Sequence, residues 1–170
     1  MTQPEVWLRG ALPDVIDELQ PVAHSLLQVR EEIEGVASLT SAQLWARPGG
    51  AASIGFHLRH LAGSLDRLMT YARGKALNVA QYEYLAGEEH EQADTADRLV
   101  HHAQDAIDRA LAQVRGTPLC TLDESREVGR NRLPSTVLGL LFHAAEHAQR
   151  HSAQIITTAK IVRSGDVVIR

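Results

Sequence analysis

His143, His147 and His151 stand at i, i+4 and i+8 in one apolar-periodic segment, and His57 and His60 stand three apart in another. Residues four apart on a helix share a face, with Cβ atoms about 6 Å apart. Two imidazoles at that spacing reach one metal ion at about 2.0–2.1 Å each, and a third ligand from a second element fixes the geometry. Three neutral imidazoles leave the charge of a divalent ion uncompensated and at least one coordination position open. That is the pattern of a catalytic rather than a closed structural site. An ion so held lowers the pKa of bound water or deprotonates a bound thiol. Three imidazoles suit zinc, nickel, copper and iron alike.

Helical-wheel position ranks the candidates. At about 100° per residue, the apolar face of the last segment centres near Val137, Ala144, Ile155 and Val162. His151 lies closest to that face, His147 next and His143 farthest, so a site at the edge of a core uses His147 and His151 with His143 at its rim. On the earlier segment the wheel slightly favours His57, which lies nearer the leucine stripe, over His60 on its flank. Periodicity does not settle that choice. A single helical histidine is more often a surface or core residue than a ligand. The metal reading rests on the i, i+4 pair together with a second histidine-bearing helix.

Other metal and cofactor motifs are absent. No Glu is followed three residues later by His, as di-iron bundles require. His90-Glu91 is not completed to a zincin motif, and there is no Cys-x-x-Cys, Walker loop or Gly-x-Ser-x-Gly.

The elements that must position these histidines are helical by period. A first helix is predicted from about Pro13 to Val36, with Pro21 bending it or splitting off a short leading piece and Gly35 as a stop. A capped turn covers Thr40 to Leu44. The second long helix starts at the N-cap Ser53 and ends at Gly74, with Ile54, Leu58, Leu61, Leu65 and Leu68 as its stripe. The stretch from Lys75 to Gln92 reads as polar and irregular. A third helix runs from about Thr95 to Val114, and a loop spans Thr117 to Leu133. The fourth helix runs from Pro134-Ser135 to about Val162, and Val167-Val168-Ile169 read as a short extended tail. The expected fold is an all-α four-helix bundle, one domain over residues 1–170, with long connecting loops of the kind that cover sites.

Composition agrees with that class and excludes others. Of the 170 residues 44% are hydrophobic but only 4% aromatic, so the core must be built from Leu, Ala, Val and Ile, a mixture that favours helices. The net charge of −4 comes without a basic block, which argues against nucleic acid. No stretch approaches the roughly 18 apolar residues of a membrane span. The N-terminus lacks the pattern of a signal peptide, and the one cysteine, Cys120, reads as an ordinary loop residue. A cytoplasmic location is expected.

Two motifs carry a family resemblance. Ser53-Ile54-Gly55-Phe56-His57-Leu58-Arg59-His60-Leu61-Ala62-Gly63-Ser64 resembles the second-helix motif of the DinB-like (DinB/YfiT) metalloenzymes, in which a His just before Leu-Ala is a ligand. His60 occupies that place. The segment His143 to Ile155 resembles the family's last-helix motif, whose paired ligands fall on His147 and His151; Ser152-Ala153 depart from the Gly found there in many members. Trp45-Ala46-Arg47-Pro48-Gly49-Gly50 is also similar to the family. The resemblance implies an up-down-down-up bundle, a three-His site for zinc, nickel or a similar ion, and often a homodimer.

Two functional expectations follow. In the first, the ion activates a low-molecular-weight thiol, since characterised family members include thiol-dependent S-transferases and isomerases. Arg59 and Arg150, which flank ligand positions, would then hold carboxylates of that small molecule, although exposed helix arginines are the plainer reading of both. Gln154 and Glu146 would orient ligand imidazoles. In the second, the protein is a non-enzymatic metal-binding or stress-response protein. An accessible cleft over the ion favours the first, and a buried ion with four protein ligands the second.

Overall fold

A computed structural model describes residues 3–165, so the expected tail at Val167–Ile169 lies outside the described residues. The elements in chain order are α1 (Gln20–Ile33), α2 (Ser41–Trp45), α3 (Ile54–Ala72), α4 (Val79–Gly87), α5 (Ala96–Arg115), β1 (Ser125–Val128), β2 (Leu133–Thr136) and α6 (Val137–Ser164).

Local chemistry sets where the long helices begin. Ser53 Oγ accepts from Phe56 N at 3.1 Å, and Thr95 and Thr136 cap α5 and α6 in the same way. Each helix then buries one stripe. On α3 it is Ile54, Leu58, Leu61, Leu65 and Met69; on α5 it is Leu99, Val100, Ala103, Ile107, Ala110 and Val114. Leu68, expected in the α3 stripe, is half-buried.

α1, α3, α5 and α6 form the bundle, with α1 and α3 each packed on both α5 and α6. The contacts fix the directions. His57 meets His151 and His60 meets His147, so α3 and α6 are antiparallel. Gln113 donates to Met69 O at the shared C-terminal ends of α3 and α5, which are parallel. Gln149 donates to Ser25 O and Arg163 to Gly35 O, so α1 runs parallel to α6. The bundle is therefore up-down-down-up, as expected.

Three boundaries differ from the sequence reading. The first helix starts at Gln20, not near Pro13: Asp14 has φ +60°, Asp17–Leu19 form a 3-10 turn, and Pro21 sits in the first helical turn. A proline in the first turn has no helical partner to lose for its missing N–H. The stretch from Lys75 to Gln92 is not irregular but contains α4. That helix is held by polar bonds rather than by a buried apolar stripe. Asn78 Oδ1 accepts from Gln81 N and Gln81 Oε1 from Asn78 N, a reciprocal cap. Gln81 Nε2 then donates to Asp66 and Thr70 on α3.

Finally, Pro134 and Ser135 belong to a strand, not to the fourth helix. β1 and β2 pair antiparallel with Ser125 opposite Thr136 and Val128 opposite Leu133. Arg126 ties this hairpin to the end of α3 by donating to Ala72 O at 2.8 Å. No helix among the described residues is long and apolar enough to cross a membrane.

Candidate metal centre

The antiparallel register of α3 and α6 brings His60, His147 and His151 into one group. One nitrogen from each lies within 4.8 Å of the other two. His60 Nε2 lies 3.0 Å from His147 Nε2. Three nitrogens bound tetrahedrally at about 2.0–2.1 Å from one ion lie about 3.3 Å apart, so the His60–His147 pair is close to that spacing. It is the one group of three or more His, Cys, Asp or Glu residues able to hold a metal ion among the described residues.

Each ring has a distinct support. His60 Nδ1 meets Glu88 Oε2 at 2.7 Å, leaving its Nε2 to face His147. Phe56 stacks on the His60 ring at 5.4 Å between centroids. His151 Nδ1 meets His57 Nδ1 at 2.9 Å, which leaves its Nε2 free of that contact. His147 Nδ1 is buried and meets no hydrogen-bond partner among the described residues. A neutral His60 that donates from Nδ1 to Glu88 has its lone pair on Nε2; the proton in the His60–His147 contact then belongs to His147 Nε2 and that ring's lone pair to Nδ1. An imidazole offers one lone pair when neutral, and three such nitrogen donors suit a divalent cation.

The electrostatics keep His147 and His151 neutral. Burial, followed by the neighbouring His60, holds His147 down to about 4 and His151 down to about 3. Burial, then His60, lowers His57 as well. Near neutral pH these rings carry no charge and retain a lone pair each.

Glu88 is the residue that sequence reasoning missed. Its side chain is 2% exposed and forms an ion pair with Arg67 Nη1 at 2.6 Å as well as the contact with His60. It follows the last turn of α4, in a segment without periodicity, and no sequence signal points to it. Gly63 makes room for it. A Cβ there would collide with Glu88 Oε1 and come within 2.6 Å of the Tyr84 ring. Arg59 secures the same turn by donating to Gly87 O and His90 O, both at 2.7 Å.

The other expected residues take different places. Arg59 is buried, not an exposed helix arginine, and its Nη1 donates to the backbone carbonyls of Gly87 and His90. Arg150 is exposed and bonded to Glu146, which also bonds His143 Nδ1. Glu146 therefore braces the rim rather than a ligand ring, and Gln154 is exposed. His57 is the more buried of the α3 pair and touches His151, whereas half-buried His60 stands in the three-residue group.

A cleft of about 380 Å³ opens beside His60 and His147, two of the three rings. His60 and His147 form part of its floor, Leu68, Tyr82 and Leu85 its apolar wall, and Arg130 its hairpin edge. The Arg130 guanidinium lies 5.5 Å from the centre of the Tyr82 ring.

The comparisons with known proteins agree with this architecture. The family model of the DinB superfamily matches residues 25–155. The solved structure of YfiT from Bacillus subtilis, described as a probable metal-dependent hydrolase with an unusual four-helix bundle topology, superposes with a TM-score of 0.64. That match is 16% identical and covers 92% of this chain and 94% of that one, a likeness of fold. No curated protein matches the chain.

Proposed function

The chain belongs to the DinB superfamily, and we propose that it is a metal-dependent enzyme. In this reading His60, His147 and His151 hold one divalent ion, zinc or nickel, and a small molecule reacts in the cleft above them. The observation that carries the reading is the cleft itself. A three-imidazole group, two of whose rings, His60 and His147, line an open, partly apolar depression, has the layout of a site that keeps a position for substrate. An ion used only for stability would need no such access.

When bound, the ion supplies Lewis acidity that lowers the pKa of a coordinated thiol or water. The chain's own residues bind and orient the substrate. Leu68, Leu77, Tyr82 and Leu85 exclude water from one side of the cleft. Arg130, which pairs with no carboxylate among the described residues, offers a cation to an anionic group of the substrate. The reaction class we assign is transfer or isomerisation through a low-molecular-weight thiol, by resemblance to the thiol-dependent members of the family. The solved relative, described as a probable hydrolase, makes activation of water the competing class.

Two assays test the proposal. Elemental analysis of protein purified without an affinity tag should find near-stoichiometric metal, lost when both His147→Ala and His151→Ala are introduced. Turnover of an electrophile panel with and without added thiols separates the two reaction classes. Activity that survives in the double variant removes the metal from the mechanism.

A further inference from the structure

Most of the chain between α3 and α5 is spent on delivering one carboxylate to one ring nitrogen. Gln81 pins α4 to α3 through Asp66 and Thr70, and Arg59 clamps the turn after α4 through Gly87 O and His90 O. Gly63 leaves the space in which the Glu88 carboxylate lies. Glu88 reaches the Arg67 guanidinium through Oε1 and the His60 ring through Oε2. Burying a carboxylate is costly unless it is paired and hydrogen-bonded. Here Arg67 offsets the charge mainly through Oε1, at 2.6 Å, and reaches Oε2, the oxygen that faces His60, only at 3.5 Å.

We propose that Glu88 is a positioning residue for the metal site: its buried, Arg67-paired carboxylate accepts from His60 Nδ1–H, fixes that tautomer, and aims the Nε2 lone pair at the shared centre. The inference rests on the reading of His60 as a ligand. Carboxylate partners of this kind orient ligand histidines and raise their basicity, and their loss typically weakens metal affinity by about 10–100-fold. The same carboxylate makes the turn after α4 part of the site. Arg67 is a necessary part of the device. It lines the cleft above the histidines and also a second cavity of about 310 Å³ between α3, α4 and α5, and it holds Glu88 between the two.

The test uses Glu88→Gln in the full chain. Gln is nearly isosteric and keeps an acceptor but loses the charge. Zinc affinity is measured by competition with a chromophoric chelator, and the His60 tautomer by long-range proton–nitrogen spectra of the metal-free protein. The wild type should show protonated Nδ1 at His60, and the variant should bind zinc about 10–100-fold more weakly while retaining its helical circular dichroism. If the unpaired Arg67 charge prevents folding, Glu88→Gln with Arg67→Met removes both charges for the same titration. A folded variant whose zinc affinity stays within about threefold of wild type, or a wild-type His60 protonated at Nε2, overturns the proposal. Failure of the wild type to bind zinc or nickel would instead remove the three-His reading, and the tautomer spectra would still decide the role of Glu88.

Discussion

His60 and His147 are 87 residues apart in the chain, yet their Nε2 atoms face one another at 3.0 Å across the antiparallel α3–α6 interface. Both rings are half-buried, on the edge of the bundle core and below an open cleft. Ligands placed so would couple metal binding to folding, because the unfolded chain has no such site. Zinc at about 1,000 times its dissociation constant should stabilise the wild type by about 4 kcal/mol. Thermal unfolding with and without zinc checks this, and an equal shift in the His147→Ala, His151→Ala protein would place the ion elsewhere.

His57 and His143 are the two near neighbours of the group, and they should behave differently. His57 is buried against His151 Nδ1, while His143 is exposed and bonded to Glu146. His57→Ala removes the partner that orients a ligand ring and should weaken zinc binding by about tenfold or more. His143→Ala should leave it within about threefold. Chelator competition on the two variants decides, and equal effects would contradict the difference between ring support and rim.

Gly63→Ala sets two effects against each other. In a helix interior alanine is better than glycine by about 0.5–1 kcal/mol. At this position the new methyl would press on Glu88, Tyr84 and Arg67, and overpacking costs about 1–3 kcal/mol. The packing term is the larger, so urea unfolding should find the variant less stable. A gain in stability would mean that Glu88 does not lie against α3.

Arg59→Met keeps the buried stem and removes the donors to Gly87 O and His90 O. Buried groups left without partners cost about 1–3 kcal/mol. The loss should appear first as faster amide exchange around residues 87–91, before global unfolding. Exchange rates there equal to wild type would show that Arg59 does not hold the turn.

His101 and His102 are adjacent on α5 and should titrate on opposite sides of 6.5. A bond to the Asp97 backbone carbonyl, then the Asp97 carboxylate, raises His101. Burial, then Arg109, lowers His102. For His102 the unfolded chain binds the proton first, so its contribution to stability falls as pH drops below 6.5. For His101 the favourable contribution is present below 6.5 and is lost as pH rises through its folded value. Imidazole carbon–proton shifts followed against pH resolve both midpoints, and a reversed order would refute the placement of these side chains.

The sequence by itself determined what depends on neighbours along the chain. Apolar period and caps such as Ser53 located the four long helices, because a helix positions its side chains by spacing alone. The same rule put His147 and His151 on one face toward the core. What crosses between elements was decided only by the tertiary structure. Periodicity favoured His57, and His57 is indeed the more buried; family resemblance pointed to His60. The register of α3 against α6 brings the half-buried His60 into the group and leaves His57 behind His151. Glu88 was invisible for a related reason. It lies just beyond a helix held by caps and polar bonds, so no apolar pattern marks it, and its purpose exists only once α4 is folded onto α3. The hairpin that starts α6 late was likewise hidden, because Pro134 and Ser135 suit a helix start and a strand equally until β1 pairs with them.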